Sequence, residues 1–130
     1  MYRDVKISIG DQICSMRLLV DKAPRLCSNF SELLPITSFA LHAKFAGDEF
    51  YFMVPKLWEA ENIVSSVEPG DVAYYPDRQT VCVFYGEIVP FGAAGLFGKI
   101  VDGLDGLKAI GPKMWKGAFA QIHVEGGKKA

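Results

Sequence analysis

Residues 70–86 read Gly-Asp-Val-Ala-Tyr-Tyr-Pro-Asp-Arg-Gln-Thr-Val-Cys-Val-Phe-Tyr-Gly, two arms rich in Val, Tyr and Phe separated by Pro76-Asp77. Val and aromatic side chains favour strands. Pro presets the backbone of a turn, and Asp can bond its own downstream backbone, so the arms form a hairpin. Both arms are mostly apolar instead of cleanly alternating, which means that neither face is freely solvated. Such a hairpin belongs at the centre of a closed sheet.

The remaining chain supplies the other strands. Val5, Ile7 and Ile9 alternate with Asp4, Lys6 and Ser8, the period of a half-buried strand, and Gly10-Asp11 turns it into a partner over 13–20. Asp21 stands where an N-cap would, with Pro24 in the first turn beyond it. Ala23, Leu26, Cys27, Phe30, Leu33 and Leu34 recur at three and four, predicting an amphipathic helix over 22–34 that Pro35 stops. Residues 37–45 and 49–54 read as strands about a turn at Ala46-Gly47-Asp48. Residues 55–68 carry Trp58, Glu59, Glu61 and Asn62 without periodicity and read as a long surface loop, a usual setting for binding loops and lids. A Gly- and Pro-containing loop over 87–95 leads to a strand at 96–101 and a short helix over 103–110 ended by Gly111-Pro112. Residues 117–124 alternate again and give the last strand.

This amounts to eight strands and two helices, a mainly β chain. Closure into an eight-stranded antiparallel barrel removes the exposed edges that so many short strands would otherwise leave. A single domain is expected over 1–125, with a flexible tail at 126–130.

Composition narrows the function classes. Half of the 130 residues are apolar and 12% aromatic, enough for a real core. The net charge of −1 comes from interspersed acids and bases, leaving no basic face for nucleic-acid phosphates. No apolar run approaches the ~18 residues of a membrane span, and no basic-then-apolar leader opens the sequence. Cys14, Cys27 and Cys82 cannot all pair and match no metal-binding spacing, so reduced buried thiols in the cytoplasm are expected. His42 and His123 are too far apart for a transition-metal site. Residues 92–98 lack the Lys-Ser/Thr of a phosphate loop, and no cofactor is expected.

Two segments carry a family resemblance. Asp21-Lys22-Ala23-Pro24-Arg25-Leu26-Cys27-Ser28-Asn29-Phe30 resembles the cyclophilin signature at the second strand and first helix. Phe97-Gly98-Lys99-Ile100-Val101-Asp102-Gly103-Leu104 is similar to the cyclophilin strand that leads into the second helix. The resemblance spans nearly the whole chain and implies a cyclophilin-like barrel with a helix capping each end. The active-site motifs of true cyclophilins differ. Their His-Arg dipeptide, whose Arg polarises the prolyl amide, corresponds to Leu41-His42-Ala43-Lys44-Phe45, which has no Arg. Their Ser-Gln-Phe-Phe strand corresponds to Thr80-Val81-Cys82-Val83-Phe84, without the Gln, and residues 89–95 lack the family Trp and His. His42-Ala43-Lys44-Phe45 and Gly70-Asp71-Val72-Ala73-Tyr74-Tyr75-Pro76 look closer to the small bacterial cyclophilin-like proteins of unassigned function.

Candidate site residues follow from both lines. His42 and Lys44, two apart on an expected strand, would point to one face and offer a donor and a cation to an anionic or carbonyl-bearing ligand. Tyr51, Tyr75, Phe84 and Phe91, with Trp58 from the loop, would wall an apolar pocket, the usual form of a small-ligand site. Cys82, where the family Gln is expected, would place a thiol in the groove. Each also has a plainer role, in the barrel core or on a solvated face. Three functions are expected in this order. The first is a module binding a small organic or peptide-like ligand in the barrel groove. The second is an enzyme, either a prolyl isomerase or one acting on a small amide or carboxylate through His42 and Lys44. The third is a homo-oligomeric interaction subunit.

Overall fold

The computed structural model describes residues 1–88, 92–115 and 120–130. In chain order these form β1 (Asp4–Ile9), β2 (Gln12–Leu18), α1 (Pro24–Leu33), β3 (Ile36–His42), β4 (Gly47–Met53), β5 (Ile63–Val64), β6 (Asp71–Tyr75), β7 (Thr80–Ile88), β8 (Ala94–Asp102), α2 (Leu104–Trp115) and β9 (Ala120–Gly126). Single 3-10 turns occupy Lys44–Ala46 and Pro76–Arg78.

The strands run β2-β1-β9-β3-β4-β7-β6-β8, and β8 pairs back onto β2, closing an eight-stranded antiparallel barrel. The expected fold class is therefore observed. The two-residue β5 is an addition that periodicity is too short to register. It pairs Ile63 with Gly95 and Val64 with Ala94, along the half of β8 that β2 does not reach.

Alternation along the strands fills the barrel. Val5, Ile7 and Ile9 from β1, Met16 and Leu18 from β2, Phe50 and Phe52 from β4, Val81 and Val83 from β7, and Ile122 and Val124 from β9 all join one buried cluster. Helix α1 adds Leu26, Cys27 and Phe30, whose ring meets Phe97 edge-on with centroids 5.2 Å apart. Helix α2 adds Leu107, Ile110 and Met114, the i, i+3, i+7 positions of one helical face.

The helix termini differ from expectation. Helix α1 begins at Pro24, and the residue in the cap position is Ala23, which has no side chain to cap with. Asp21 stays exposed in the preceding turn. The cap comes instead from Glu61, far along the chain. One carboxylate oxygen accepts the Leu26 N–H at 2.8 Å and the other accepts Arg25 Nε at 3.2 Å. Burial pushes the Glu61 carboxyl up, but the bonds from Leu26 and Arg25 together outweigh this and hold it below its usual range. A negative charge at a helix N-terminus is also favoured by the macrodipole. The loop over 55–68 is thus fastened to the barrel, with further ties from Asn62 Nδ2 to the Leu96 carbonyl (2.8 Å) and from the Trp58 N–H to the Tyr74 hydroxyl (3.0 Å).

Helix α2 does not stop at Gly111-Pro112 but carries Pro112 inside it and continues through Trp115. Docking of Met114 into the core extends it past the breaker, a tertiary override of local propensity. Gly111 lies flat on the Tyr85 ring, and a Cβ there would collide with it. Residues 126–130 are bonded to the N-terminus: Arg3 N–H donates to the Lys128 carbonyl at 2.8 Å and Ala130 N–H to the Met1 carbonyl at 3.0 Å.

Two substitutions check these contacts by urea denaturation. Glu61→Ala should cost about 1–2 kcal/mol, the usual loss on removing a helix cap. Because the folded carboxyl is held low, that contribution is complete at neutral pH and fades as acid protonates it, so the variant should lose part of the acid sensitivity as well. Gly111→Ala should destabilise by about 1–3 kcal/mol through overpacking, opposite in sign to the gain of about 1 kcal/mol that alanine gives in an open helix.

Candidate functional site

The strand trio β4-β7-β6 is apolar on both faces. Val81, Val83 and Tyr85 of β7 face the barrel core, so Thr80, Cys82 and Phe84 face outward. Pairing register builds rows across the outer face: Met53 opposite Thr80 opposite Tyr75, Tyr51 opposite Cys82 opposite Ala73, and Glu49 opposite Phe84. Small side chains at the centre, Cys82 and Thr80, leave a hollow. Large ones at the rim, Tyr51, Met53 and Tyr75, wall it.

Two turns complete the hollow. The 3-10 turn after β3 brings Phe45 and Ala46, and the turn after β6 brings Arg78, whose guanidinium carbon sits 5.4 Å from the Phe45 ring centroid. Together these residues enclose a cavity of about 210 Å³. At ~30 Å³ per molecule of liquid, this volume corresponds to about seven waters. A second hollow of about 30 Å³ adjoins it, sharing Glu49 and Tyr75 and adding Phe84, Val67 and Ile88.

Glu49 is the polar centre. It is 7% exposed and lines both hollows. Burial pushes its carboxyl above the usual range, against a hydrogen bond from the Cys82 thiol and the attraction of Arg78. The Cys82 thiol is pushed well up, first by its own burial and then by Glu49, and it lies 3.7 Å from the Thr80 hydroxyl. It is therefore a neutral thiol and a poor nucleophile at neutral pH. Burial, with Cys82 and Glu49 beside it, raises the Tyr75 phenol too.

The structure brings three of the sequence candidates, Tyr51, Tyr75 and Cys82, into the larger cavity, and Phe84 with Tyr75 into the smaller one. Phe91 lies outside the described residues. His42 and Lys44 do not share a face. Strand β3 ends at His42 and the chain enters a 3-10 turn, which breaks the two-residue period and leaves Lys44 exposed. His42 turns inward, with Nε2 2.6 Å from the Tyr85 hydroxyl and its ring edge-on to Trp115 at 4.7 Å. Its Nδ1 is buried and has no partner among the described residues. Burial lowers its pKa, so it is held as the neutral ring. Trp58 packs on Tyr74 at 5.2 Å, away from both hollows.

Glu49, Phe45, Met53, Thr80 and Arg78 were not among the sequence candidates. Glu49 carries a faint signal, as a carboxylate followed directly by the apolar run Phe50-Tyr51-Phe52-Met53 of the same strand. Arg78 carries none, because its position depends on how two distant turns meet. Among the described residues no cluster of three or more His, Cys, Asp or Glu is arranged to hold a metal ion, and no helix is long and apolar enough to cross a membrane.

The same barrel occurs in other proteins. The structure of McbB in complex with tryptophan superposes with a TM-score of 0.84 at 21% sequence identity, covering 97% of this chain. This chain spans only 45% of the length of that one. The solution structure of the hypothetical protein AF2241 from Archaeoglobus fulgidus superposes with a TM-score of 0.73 at 27% identity, covering 97% of this chain and 95% of that one. No curated protein matches the chain in sequence. A family model described as Cyclophilin-like matches residues 3–114, across both helices and all but the last strand of the barrel. With that match and this strand order, the chain belongs to the cyclophilin-like family.

Proposed function

We propose that the protein holds a small organic or peptide-like ligand in the groove over β4, β7 and β6, without performing chemistry on it. One observation carries this reading: a walled cavity of about 210 Å³ with a buried carboxylate at its floor. Aromatic and thioether walls around few polar groups are the general form of small-ligand sites. The size suits a single amino-acid-sized molecule or one residue of a peptide. Cys82 is a neutral thiol and His42 faces the barrel interior, so the groove pairs no nucleophile with a histidine base. The buried, unpaired state of Cys14, Cys27 and Cys82 supports a reducing compartment, which we take to be the cytoplasm.

A thermal-shift screen of metabolites, amino acids and short peptides tests the reading. Tryptophan, the ligand of the McbB structure, belongs among the probes. A true ligand at a hundredfold over its Kd stabilises by about 2.7 kcal/mol, a shift of several degrees. Tyr51→Ala, which removes one wall of the groove, should weaken that shift while leaving the unliganded melting temperature nearly unchanged. A screen in which nothing stabilises the protein, or in which Tyr51→Ala leaves every shift intact, defeats the proposal.

One observation favours prolyl isomerisation as a second reading. Although no Arg stands where true cyclophilins carry theirs, Arg78 lines the groove from a different turn. A guanidinium there could polarise an amide carbonyl. A proline tetrapeptide assay decides. Our first reading expects the uncatalysed rate, whereas acceleration that disappears in Arg78→Ala would establish the second.

A further inference from the structure

We infer that the groove selects ligands bearing an amine, with the ammonium group seated on Glu49 and the apolar body between Tyr51, Met53 and Tyr75. This inference rests on the groove being a ligand site. Three observations carry it. Glu49 is a carboxylate more than nine-tenths buried that nevertheless lines both hollows, so a ligand entering either one comes up against it. Its neighbour on the adjacent strand is a thiol, Cys82, a weak donor that can occupy only a small part of the carboxylate's acceptor capacity. The cationic group on the cavity wall, Arg78, lies at the outer turn with its guanidinium over Phe45, and not on the floor. An incoming anion would meet the buried carboxylate head-on. An ammonium would replace the lost hydration of Glu49 with a charge-assisted bond. A carboxylate on the same ligand, as in an amino acid, would point back toward Arg78.

The titratable and charged groups around Glu49 are Cys82 from β7, Tyr75 from β6 and Arg78 from the turn between those strands, where Asp77 acts on Tyr75. Cys82 and Tyr75 are both pushed up and stay neutral at and below neutral pH. Glu49 is the carboxyl lining the cavity. Burial raises it, so the charged form needed for an ammonium is lost on acidification earlier than for an ordinary carboxylate. Amine binding should therefore weaken as the pH falls.

The experiment is calorimetry with a matched series on one phenyl body: phenethylamine, phenylalanine, phenethyl alcohol and 3-phenylpropionate, each against the wild type and Glu49→Gln at two pH values. The two amines should bind about ten- to a hundredfold tighter than the alcohol, the span of a charge-assisted hydrogen bond. The acid should bind weakest. Glu49→Gln, which keeps the side chain's shape, should abolish the preference and flatten the pH dependence. If the alcohol or the acid binds as tightly as the amines, or if Glu49→Gln leaves the amine preference intact, the inference is overturned while the groove remains a ligand site. If no member of the series binds to the wild type, the groove reading and the inference fall together.

Discussion

The pairing of β8 with β2 is the contact on which the rest of the molecule depends. It joins the first hairpin to the last third of the chain and turns a sheet with two open edges into a ring. The junction is tight. Gly98 on β8 faces Met16 on β2, and a Cβ at Gly98 would lie 2.6 Å from the Met16 sulfur. The register shifts between Ser15 and Met16, which bends the strand into the ring. The Gly-Lys of the Phe97-Gly98-Lys99 segment is therefore structural: the glycine permits closure, and Lys99 reaches Asp71 at 3.1 Å to tie β8 to the base of the central hairpin. Asp71 also accepts the Glu68 N–H at 2.8 Å, so the Gly70-Asp71 pair anchors the end of the long loop as well.

A closed ring has one inner face and one outer face, and the outer face over β4, β7 and β6 is the unusual part. Most of the barrel's outward positions are polar or solvated, but here Thr80, Cys82, Phe84 and Ala73 are almost fully covered. The cover comes from the flanking turns and from the loop before β6. The consequence is a hollow in place of a second core, because its central side chains are too small to fill the space that the rim residues enclose. Burying Glu49 there is costly, because the Cys82 thiol and Arg78 only partly offset its desolvation, and the cost leaves a trace in its raised pKa. A group kept in such a position against its own desolvation is a functional candidate on physical grounds.

Much of the fold was legible in the sequence. Alternation in β1, β2 and β9 and the period of three and four in α1 are local patterns that survive folding unchanged. The doubly apolar arms of the central hairpin announced that both faces are covered. The misplaced details share a cause. The cap of α1 comes from Glu61, thirty-five residues beyond the Leu26 N–H that it accepts, and the length of α2 is set by the seating of Met114, not by Gly111-Pro112. Local propensity cannot report a partner supplied from elsewhere in the chain.

The candidate site divides along the same line. Tyr51, Tyr75, Cys82 and Phe84 were readable because each lies on a regular strand, where residue number fixes the face. His42 and Lys44 were misassigned to one face because the strand ends between them, and Arg78 and Phe45 went unnoticed because turns carry no period. By itself the sequence determined the strands, the covered hairpin and the family, since these follow from side-chain chemistry repeated at short range. Only the tertiary structure decided that Glu49 sits at the floor of a cavity and that Arg78 stands at its rim. That placement depends on how a strand register and two distant turns meet in space, and no local pattern encodes it.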